Sequence, residues 1–324
     1  MSGNLLLISS KPEDCLFAGE IATTAAMSLQ TVADHRAAAS IIAQQEISVV
    51  LADCSSEEQY QKLELAIQDT VGLFSDRINP NQFHFITSQG LEKSQYLIQS
   101  PLFGNFVLRR YGDVLAAGHQ YGRIIKASLS ERAFGLHQLL KPGSKIQVVK
   151  FQESTQKQQA VEAVKNYLIA AKFQPRMASV VANAVDELLM NAIFDAPIDE
   201  LGRPLLASTS RKTYIKLEGK HTTEMHVGFD GEYIAVSAID LFGSLDKAKL
   251  LNHISKIYRA EEYKLKTSVA GAGLGLATVF RSGGSFFFVS ENRSKTEVTV
   301  FFKRTDSFKT FKDQFRFLSM QFYF

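Results

Sequence analysis

The sequence is poor in cysteine and has little excess charge of either sign. Its only two cysteines, Cys15 and Cys54, cannot build the dense disulfide frame of a small secreted domain. Thirty-six Lys and Arg residues balance thirty-three Asp and Glu residues, and no block of like charge stands out. Composition therefore points to no nucleic-acid partner, and it predicts a cytoplasmic protein in a reducing environment.

Long apolar runs are also lacking. The run from Leu5 to Ile8 is too short for the core of a signal peptide, and charged residues soon follow it. No stretch approaches the roughly 20 apolar residues that span a bilayer, so the sequence predicts no membrane insertion. A hydrophobic share of 45% in 324 residues is enough for about two globular domains.

Short apolar runs alternate with helix-length segments through the first third of the chain. Such a rhythm predicts an α/β domain whose parallel sheet is built from βα units, as in flavodoxin-like folds. The runs with the length and the β-branched or aromatic content of strands are Leu5 to Ser9, Ser28 to Ala33, Ile47 to Asp53, Gln82 to Thr87 and Asn105 to Arg109.

This rhythm resembles the receiver domain of two-component signalling, with Asp53 at the position of the phosphate-accepting aspartate. Thr87 also matches, but Ser9-Ser10 stand where a receiver has its magnesium-binding acidic pair, and Arg109 stands where a lysine is expected. The resemblance therefore implies a degenerate receiver that serves for contacts. In it, Asp53 is expected to cap the following helix, and phosphorylation of Asp53 is the alternative.

A helical segment with one apolar stripe follows, from Tyr111 to Leu140. It is either the last helix of the first domain plus a linker, or a helix that pairs with a second copy in a homodimer. A histidine kinase would need a phosphorylatable histidine here, usually followed by an acidic residue. Gln120 follows His119, and His137 has no better context, so an atypical histidine kinase is a less favoured alternative.

The second half of the chain carries a more specific pattern. Ile146 to Phe151 has the composition of a strand, and Ser154 to Ala171 and Pro175 to Phe194 have that of helices. On the second helix, Glu187 and Asn191 share one polar side. An amide oxygen completed by triphosphate oxygens suits Mg²⁺, and a carboxylate one turn away can take a proton from a hydroxyl or a water.

Strands and a glycine-rich turn come next. The antiparallel strands are predicted at Thr213 to Glu218, Glu224 to Phe229 and Tyr233 to Ile239, and two more close the pattern at Ser285 to Ser290 and Glu297 to Lys303. Asp240 follows the third strand, and a carboxylate there can accept from the adenine amine. A lysine-rich stretch, Asp246 to Ser268, precedes the turn Gly271 to Leu276, whose backbone N–H groups suit phosphate oxygens.

In this order the elements resemble the ATP-binding domain of the GHKL superfamily, shared by histidine kinases, anti-sigma-factor serine kinases, type II topoisomerases and Hsp90-like chaperones. The likeness implies an α+β sandwich, a mixed sheet covered by helices, that binds ATP and Mg²⁺ under a mobile lid. It assigns Asn191 to the metal and Glu187 to general-base catalysis. It assigns nucleotide binding to Asn191, Asp240, Gly243, Gly271, Gly273, Gly275, Leu276 and Thr296.

Two features modify this interpretation. Phe242 replaces a glycine of the family motif and would narrow the adenine pocket or stack on the base. Phe308, Phe311, Phe315, Leu318 and Phe322 recur near helical spacing, so the C-terminal segment is expected to dock on the protein itself or on a partner. The resulting organisation is a receiver-like domain (1–127), a helical connector (128–144), a GHKL domain (145–305) and an aromatic C-terminal segment (306–324).

The resemblance implies an ATP-binding signalling protein. The preferred function is a protein serine/threonine kinase of the anti-sigma-factor type, which transfers the ATP γ-phosphoryl group to a regulatory protein partner. The alternative is a noncatalytic partner-binding module with a degenerate or regulatory nucleotide site.

Overall fold

The computed structural model describes residues 3–73, 75–130, 133–206, 208–260, 279 and 283–323. The fold is α/β and contains both parallel and antiparallel strands. The chain divides into two compact units, the first formed by Met1–Ala133 and Phe315–Met320 and the second by Phe134–Gln314 and Gln321–Phe324. The division after Ala133 falls within the predicted connector, and the end of the chain is shared between the two units.

The first unit contains a parallel sheet. Its strands are β1 (Asn4–Ile8), β2 (Ser28–Val32), β3 (Val49–Asp53), β4 (Phe83–Thr87) and β5 (Asn105–Leu108). Their order is β2-β1-β3-β4-β5, the order of flavodoxin-like doubly wound sheets. Every residue of β3 and β4 is buried, as expected for central parallel strands. The parallel sheet predicted from the apolar runs is confirmed.

Helices connect these strands. They are α1 (Pro12–Ala25), α2 (His35–Gln44), α3 (Glu57–Thr70), α4 (Gln95–Ile98) and α5 (Val114–Ser128). Helix α3 begins with a capping box in which Ser56 accepts from the backbone of Gln59 and the Gln59 side chain accepts from the backbone of Ser56. The prediction that Asp53 caps this helix is therefore wrong, because Ser56 occupies that position.

The second unit contains an antiparallel sheet. Its strands are β6 (Ile146–Phe151), β7 (Thr223–Phe229), β8 (Tyr233–Asp240), β9 (Ser285–Glu291) and β10 (Lys295–Lys303), in the order β9-β10-β8-β7-β6. The predicted strand at Thr213 to Glu218 is wrong, since only an isolated bridge joins Lys216 to Glu153. Ser154 binds the backbone of Ile215 instead. The Ser154 backbone N–H donates to the Ile215 carbonyl at 2.9 Å, and the Ile215 N–H donates to the Ser154 hydroxyl at 2.9 Å.

Three helices of this unit are α6 (Gln156–Ala170), α7 (Pro175–Met190) and α8 (Lys247–Ala260). Helix α7 buries its apolar stripe and continues into a π-helical turn, Asn191–Asp195, called the π-turn below. The segment Pro175–Asp195 has the length and apolar composition of a membrane span, with a mean hydropathy of 1.3 over a window of 18 residues. The absence of membrane insertion therefore stays a prediction. Because 67% of that window is buried in the fold, a core helix accounts for the same composition.

The aromatic C-terminal segment consists of a short helix, α9 (Phe308–Lys312), and a strand, β11 (Arg316–Tyr323). The helical spacing of the aromatic residues predicted a helix over this segment. That prediction is wrong for residues 316–323, which form a strand whose six inner residues are all buried. Within the first unit, β11 runs antiparallel to β5 and pairs Arg316 with Leu108 and Leu318 with Phe106. The segment thus docks on the protein itself, which was one of the two alternatives.

Candidate functional site

Strand β8 ends at Asp240, whose carboxylate lies at the centre of a buried hydrogen-bond cluster. One carboxylate oxygen accepts from the backbone N–H groups of Phe242 at 2.9 Å and Gly243 at 3.3 Å. Thr296 lies opposite Asp240 in β10, and its hydroxyl also donates to the carboxylate. Burial raises the pKa of Asp240 to about 6 despite these donors. The structure thus brings together Asp240 and Thr296, two of the residues to which the GHKL resemblance assigned nucleotide binding.

The turn after Asp240 has a structural requirement for glycine. Gly243 has a φ of +57°, and an added Cβ would lie 2.0 Å from the carbonyl oxygen of Glu291. The carbonyl of Gly243 accepts from the backbone N–H of Arg293 at 3.1 Å, which ties this turn to the β9–β10 turn. Phe242 is buried and meets the ring of His221 edge to face, at 5.2 Å between centroids. Backbone conformation and packing therefore explain Gly243 without a ligand, and Phe242 fills protein interior.

The end of α7 presents Glu187 and Asn191. The Oε2 atom of Glu187 is buried and has no hydrogen-bond partner among the described residues. Burial raises the pKa of Glu187, and Arg211 is the cation that opposes this rise most. Asn191 is half-buried and begins the π-turn, where its carbonyl accepts from the N–H of Ala196 at 2.8 Å. Single π-helical turns inside helices are frequent at functional sites.

A direct contact joins the end of α7 to the turn after β8. Ser244 follows that turn, and its hydroxyl donates to the carbonyl oxygen of Ala196 at 2.7 Å. Ala196 comes directly after the π-turn. The elements that carry Asn191 and Asp240 are therefore neighbours. The remaining predicted nucleotide contacts, at Gly271, Gly273, Gly275 and Leu276, lie outside the described residues.

The predicted lid begins as a helix where the structure describes it. Asp246 accepts from the backbone N–H of Lys249 at 2.7 Å at the start of α8, and the segment beyond Ala260 lies outside the described residues. Lys247, in the first turn of α8, is half-buried, and this burial lowers its pKa to about 8. No local pattern in the sequence distinguishes Lys247 from the other lysines of this stretch.

Sequence reasoning missed two cations near Glu187. Lys157, from α6, forms an ion pair with Asp186, and Arg211 forms one with Asp195 at 3.1 Å. Both cations are distant along the chain from the helix that they contact, so no local spacing marks them. They place positive charge on the polar side of the α7 end.

No preformed metal cage is present in the described part of the chain. Among those residues, no group of three or more His, Cys, Asp or Glu side chains could hold a metal ion. The single amide oxygen of Asn191 fits a Mg²⁺ shell only if phosphate oxygens and waters complete it. A separate cavity of about 290 Å³ lies between α6 and the strands β6 and β7, lined mainly by apolar residues such as Val149, Val164 and Met225. None of the predicted site residues lines that cavity.

The carboxyl ends of the parallel strands in the first unit hold a second polar cluster. Arg109 donates from Nε and Nη2 to the two carboxylate oxygens of Asp14, at 2.8 and 2.7 Å, and Nη2 lies 2.7 Å from Asp53. Lys11 also pairs with Asp53, at 3.0 Å. Asp14 comes from α1 and is fully buried, so an acidic residue is present near the end of β1 although the sequence there reads Ser9-Ser10. Sequence reasoning missed Asp14.

Arg109 satisfies this cluster internally. Its Nη1 donates to the hydroxyls of Ser55 and Ser88, at 2.7 and 2.9 Å. Although burial would raise the pKa of Asp53, hydrogen bonds from Arg109, Ser55 and Lys11 hold it below its ordinary value. A carboxylate engaged in this way is a poor acceptor for a phosphoryl group, because its lone pairs are already occupied by donors.

The two candidate phosphorylatable histidines differ in environment. His119 lies on α5, half exposed, with the Thr24 hydroxyl at 3.0 Å and Glu20 at 3.4 Å from Nδ1. His137 lies in a single 3₁₀ turn, Leu136–Gln138. The Glu20 carboxylate therefore lies beside His119, although the next residue in the chain, Gln120, is not acidic.

No family model matches this chain, and no curated protein is similar enough in sequence to count as a relative. The likeness to GHKL and receiver domains therefore stays an interpretation of sequence motifs.

Proposed function

We propose that the second unit binds Mg-ATP in the manner of GHKL domains and transfers the γ-phosphoryl group to a serine or threonine hydroxyl of a regulatory protein partner. One observation carries the proposal. The Asp240–Thr296 pair lies at a strand end whose turn contacts the helix end bearing Glu187 and Asn191. Neighbouring elements would thereby supply one carboxylate for the adenine, Asp240, and another for the transferred phosphoryl group, Glu187.

Asp240 would read the adenine base. With a pKa of about 6, its carboxylate is mostly ionised at neutral pH and can accept a hydrogen bond from the exocyclic amine. Guanine presents a carbonyl oxygen at the same edge, so two hydrogen-bond acceptors would face each other and no hydrogen bond could form. The site should therefore prefer ATP to GTP.

Glu187 would act as the general base. It takes the proton of the acceptor hydroxyl as that oxygen bonds to the γ-phosphorus, while the bond from the γ-phosphorus to the β–γ bridging oxygen breaks and ADP leaves. Its buried Oε2, which has no hydrogen-bond partner among the described residues, is placed to receive that proton. Asn191 would hold Mg²⁺, which when bound offsets the charge of the phosphates.

Nucleotide-dependent melting of the whole chain tests binding. We expect Mg-ATP at 100 times its dissociation constant to stabilise the native state by about 2.7 kcal/mol, Mg-GTP to stabilise it less, and Asn191→Ala to abolish most of the gain. Asn183→Ala is the matched control, because Asn183 is an exposed asparagine two turns earlier on α7. No shift in melting temperature with any nucleotide would refute the proposal.

Phosphoryl transfer needs a separate test. Incubation of the native chain with labelled ATP and cell lysate should give an alkali-labile label on a partner protein, and Glu187→Gln should lose the label while still binding Mg-ATP. Label that resists alkali and disappears in His119→Ala would instead indicate an atypical histidine kinase.

A noncatalytic module is the second candidate. Buried Phe242 at a family glycine position and a Gly243 explained by packing favour a domain that keeps this fold without turning ATP over. The first unit would then serve for contacts, since Arg109 already occupies its polar edge. Binding of Mg-ATP without transfer in either assay would select this candidate.

A further inference from the structure

Arg211 forms an ion pair with the π-turn that contains Asn191. Its Nη2 donates to both carboxylate oxygens of Asp195, at 3.3 and 3.1 Å, and Asp195 is the last residue of that turn. The Arg211 side chain is 33% exposed, so its guanidinium is held in place but remains accessible to a ligand.

Within the described part of the chain, most of the hydrogen-bonding capacity of Arg211 is unused. Among the residues that the structure describes, only Asp195 accepts from this guanidinium, which leaves Nε and Nη1 available. Glu187 lies eight residues before Asp195 and interacts electrostatically with Arg211. It has the opposite deficit, since its buried Oε2 has no donor in the described part of the chain. A set of cationic donors and an unpaired carboxylate oxygen therefore occur together at the end of α7.

A phosphoryl group under attack by a hydroxyl would satisfy both deficits at once. Its oxygens accept from a guanidinium, whose planar fork matches phosphate geometry, and the attacking hydroxyl donates to the carboxylate. A ligand with acceptors only would leave Glu187 unpaired, and a cation alone would be repelled by Arg211. A phosphoryl group together with an attacking hydroxyl therefore fits both deficits, and within the proposed function that group is the terminal phosphate of ATP.

We propose that Arg211 binds the γ-phosphoryl group of ATP and that Asp195 orients its guanidinium from the π-turn. This inference rests on the proposed function and adds a specificity residue to it. A different role would be a purely structural one, in which the Arg211–Asp195 pair only shapes the π-turn and positions Asn191. The two roles differ in one measurable property, because ADP lacks the γ-phosphoryl group.

Affinities of the full chain for Mg-ATP and Mg-ADP separate these roles. We expect Arg211→Met to weaken Mg-ATP by about 10- to 100-fold, the range for a lost charged hydrogen bond, and to leave Mg-ADP within about twofold. Arg211→Lys should retain part of the ATP affinity because it keeps the charge. Arg203→Met is the matched control, since Arg203 forms an ion pair with Asp199 at 2.7 Å in the same loop and should change neither affinity.

Three outcomes would overturn the inference. Equal losses for Mg-ATP and Mg-ADP in Arg211→Met would show the structural role, and unchanged affinities would show no role in binding. If the native chain binds Mg-ADP as tightly as Mg-ATP, no residue reads the γ-phosphoryl group. If the native chain binds neither nucleotide, the proposed function itself fails.

Asp195→Asn, which keeps the shape of the turn, replaces Arg211→Met if that variant does not fold, and the same selective loss of ATP affinity is expected.

Discussion

Asp240 links protonation to stability at the scale of a single residue. Its pKa is about 6 in the folded chain and about 3.9 in an unfolded one. Between these values the native state holds a proton that the unfolded state has released, so this residue lowers the free energy of unfolding as pH rises from about 4 to about 6. Asp240→Asn cannot titrate. We therefore expect its melting temperature to decline less than that of the native chain across this interval.

The measurement is thermal unfolding by circular dichroism, at half-unit steps from pH 4 to pH 7. Only the difference between the two chains is interpreted, because other carboxylates titrate in both. Glu218→Gln, at an exposed position paired with Lys216, is the control and should follow the native curve. Parallel curves for Asp240→Asn and the native chain would show that Asp240 titrates normally.

Residue-scale chemistry was only partly visible in the sequence. Asp240 and Thr296 could both be assigned to nucleotide binding because each lies beside the end of a predicted strand, at a position of the family motifs. Asp14 and Arg109 could not, since they are 95 residues apart and neither lies in a spacing that marks an ion pair. Such contacts depend on how elements meet, which local patterns do not specify.

At the scale of elements, the turn that joins β8 to its neighbours depends on one glycine. Gly243→Ala would force a Cβ into the carbonyl of Glu291 at a positive φ, and Gly231→Ala would add a Cβ at a φ of +91° with no atom within 4 Å. We expect Gly243→Ala to lower the free energy of unfolding by about 2–5 kcal/mol, from strain plus overpacking, and Gly231→Ala by about 1–2 kcal/mol, from strain alone.

Urea unfolding of both variants provides the comparison. If the two glycine substitutions cost the same, the close approach to the β9–β10 turn is not tight, and the glycine would then be explained by its backbone conformation alone. A larger cost at Gly243 that Mg-ATP does not alter would confirm that packing requires this residue.

Periodicity predicted most elements and failed for two of them. Strands β1 and β3 of the first unit are nearly continuous apolar runs, which a buried strand requires, so their positions follow from sequence. Strand β11 is buried at every inner position, which removes the alternation that identifies a strand, and its aromatic residues also recur at helical spacing. Thr213 to Glu218 has strand composition, yet Ser154 binds its backbone at Ile215.

At the scale of the whole molecule, the end of the chain belongs to both units. Phe315–Met320 completes the first unit and Gln321–Phe324 the second. In the first unit, Phe317 contacts the ring of Tyr121 at 5.1 Å, and Asn105 accepts from the backbone N–H of Met320 at 3.1 Å. A segment more than 200 residues away in sequence therefore covers one edge of the parallel sheet.

Two truncations test this dependence. Removal of residues 315–324 exposes the β5 edge and the rings that Phe315 and Phe317 cover, and each buried phenylalanine contributes about 3–5 kcal/mol. We expect the first unit of the 1–314 chain to unfold or aggregate. Removal of residues 321–324 keeps the pairing of β11 with β5, so the first unit of the 1–320 chain should stay folded.

Amide hydrogen exchange of β3 and β4, whose residues are all buried, reports on the first unit alone. Equal protection of these strands in the 1–314 and native chains would mean that the first unit is stable without its distant strand.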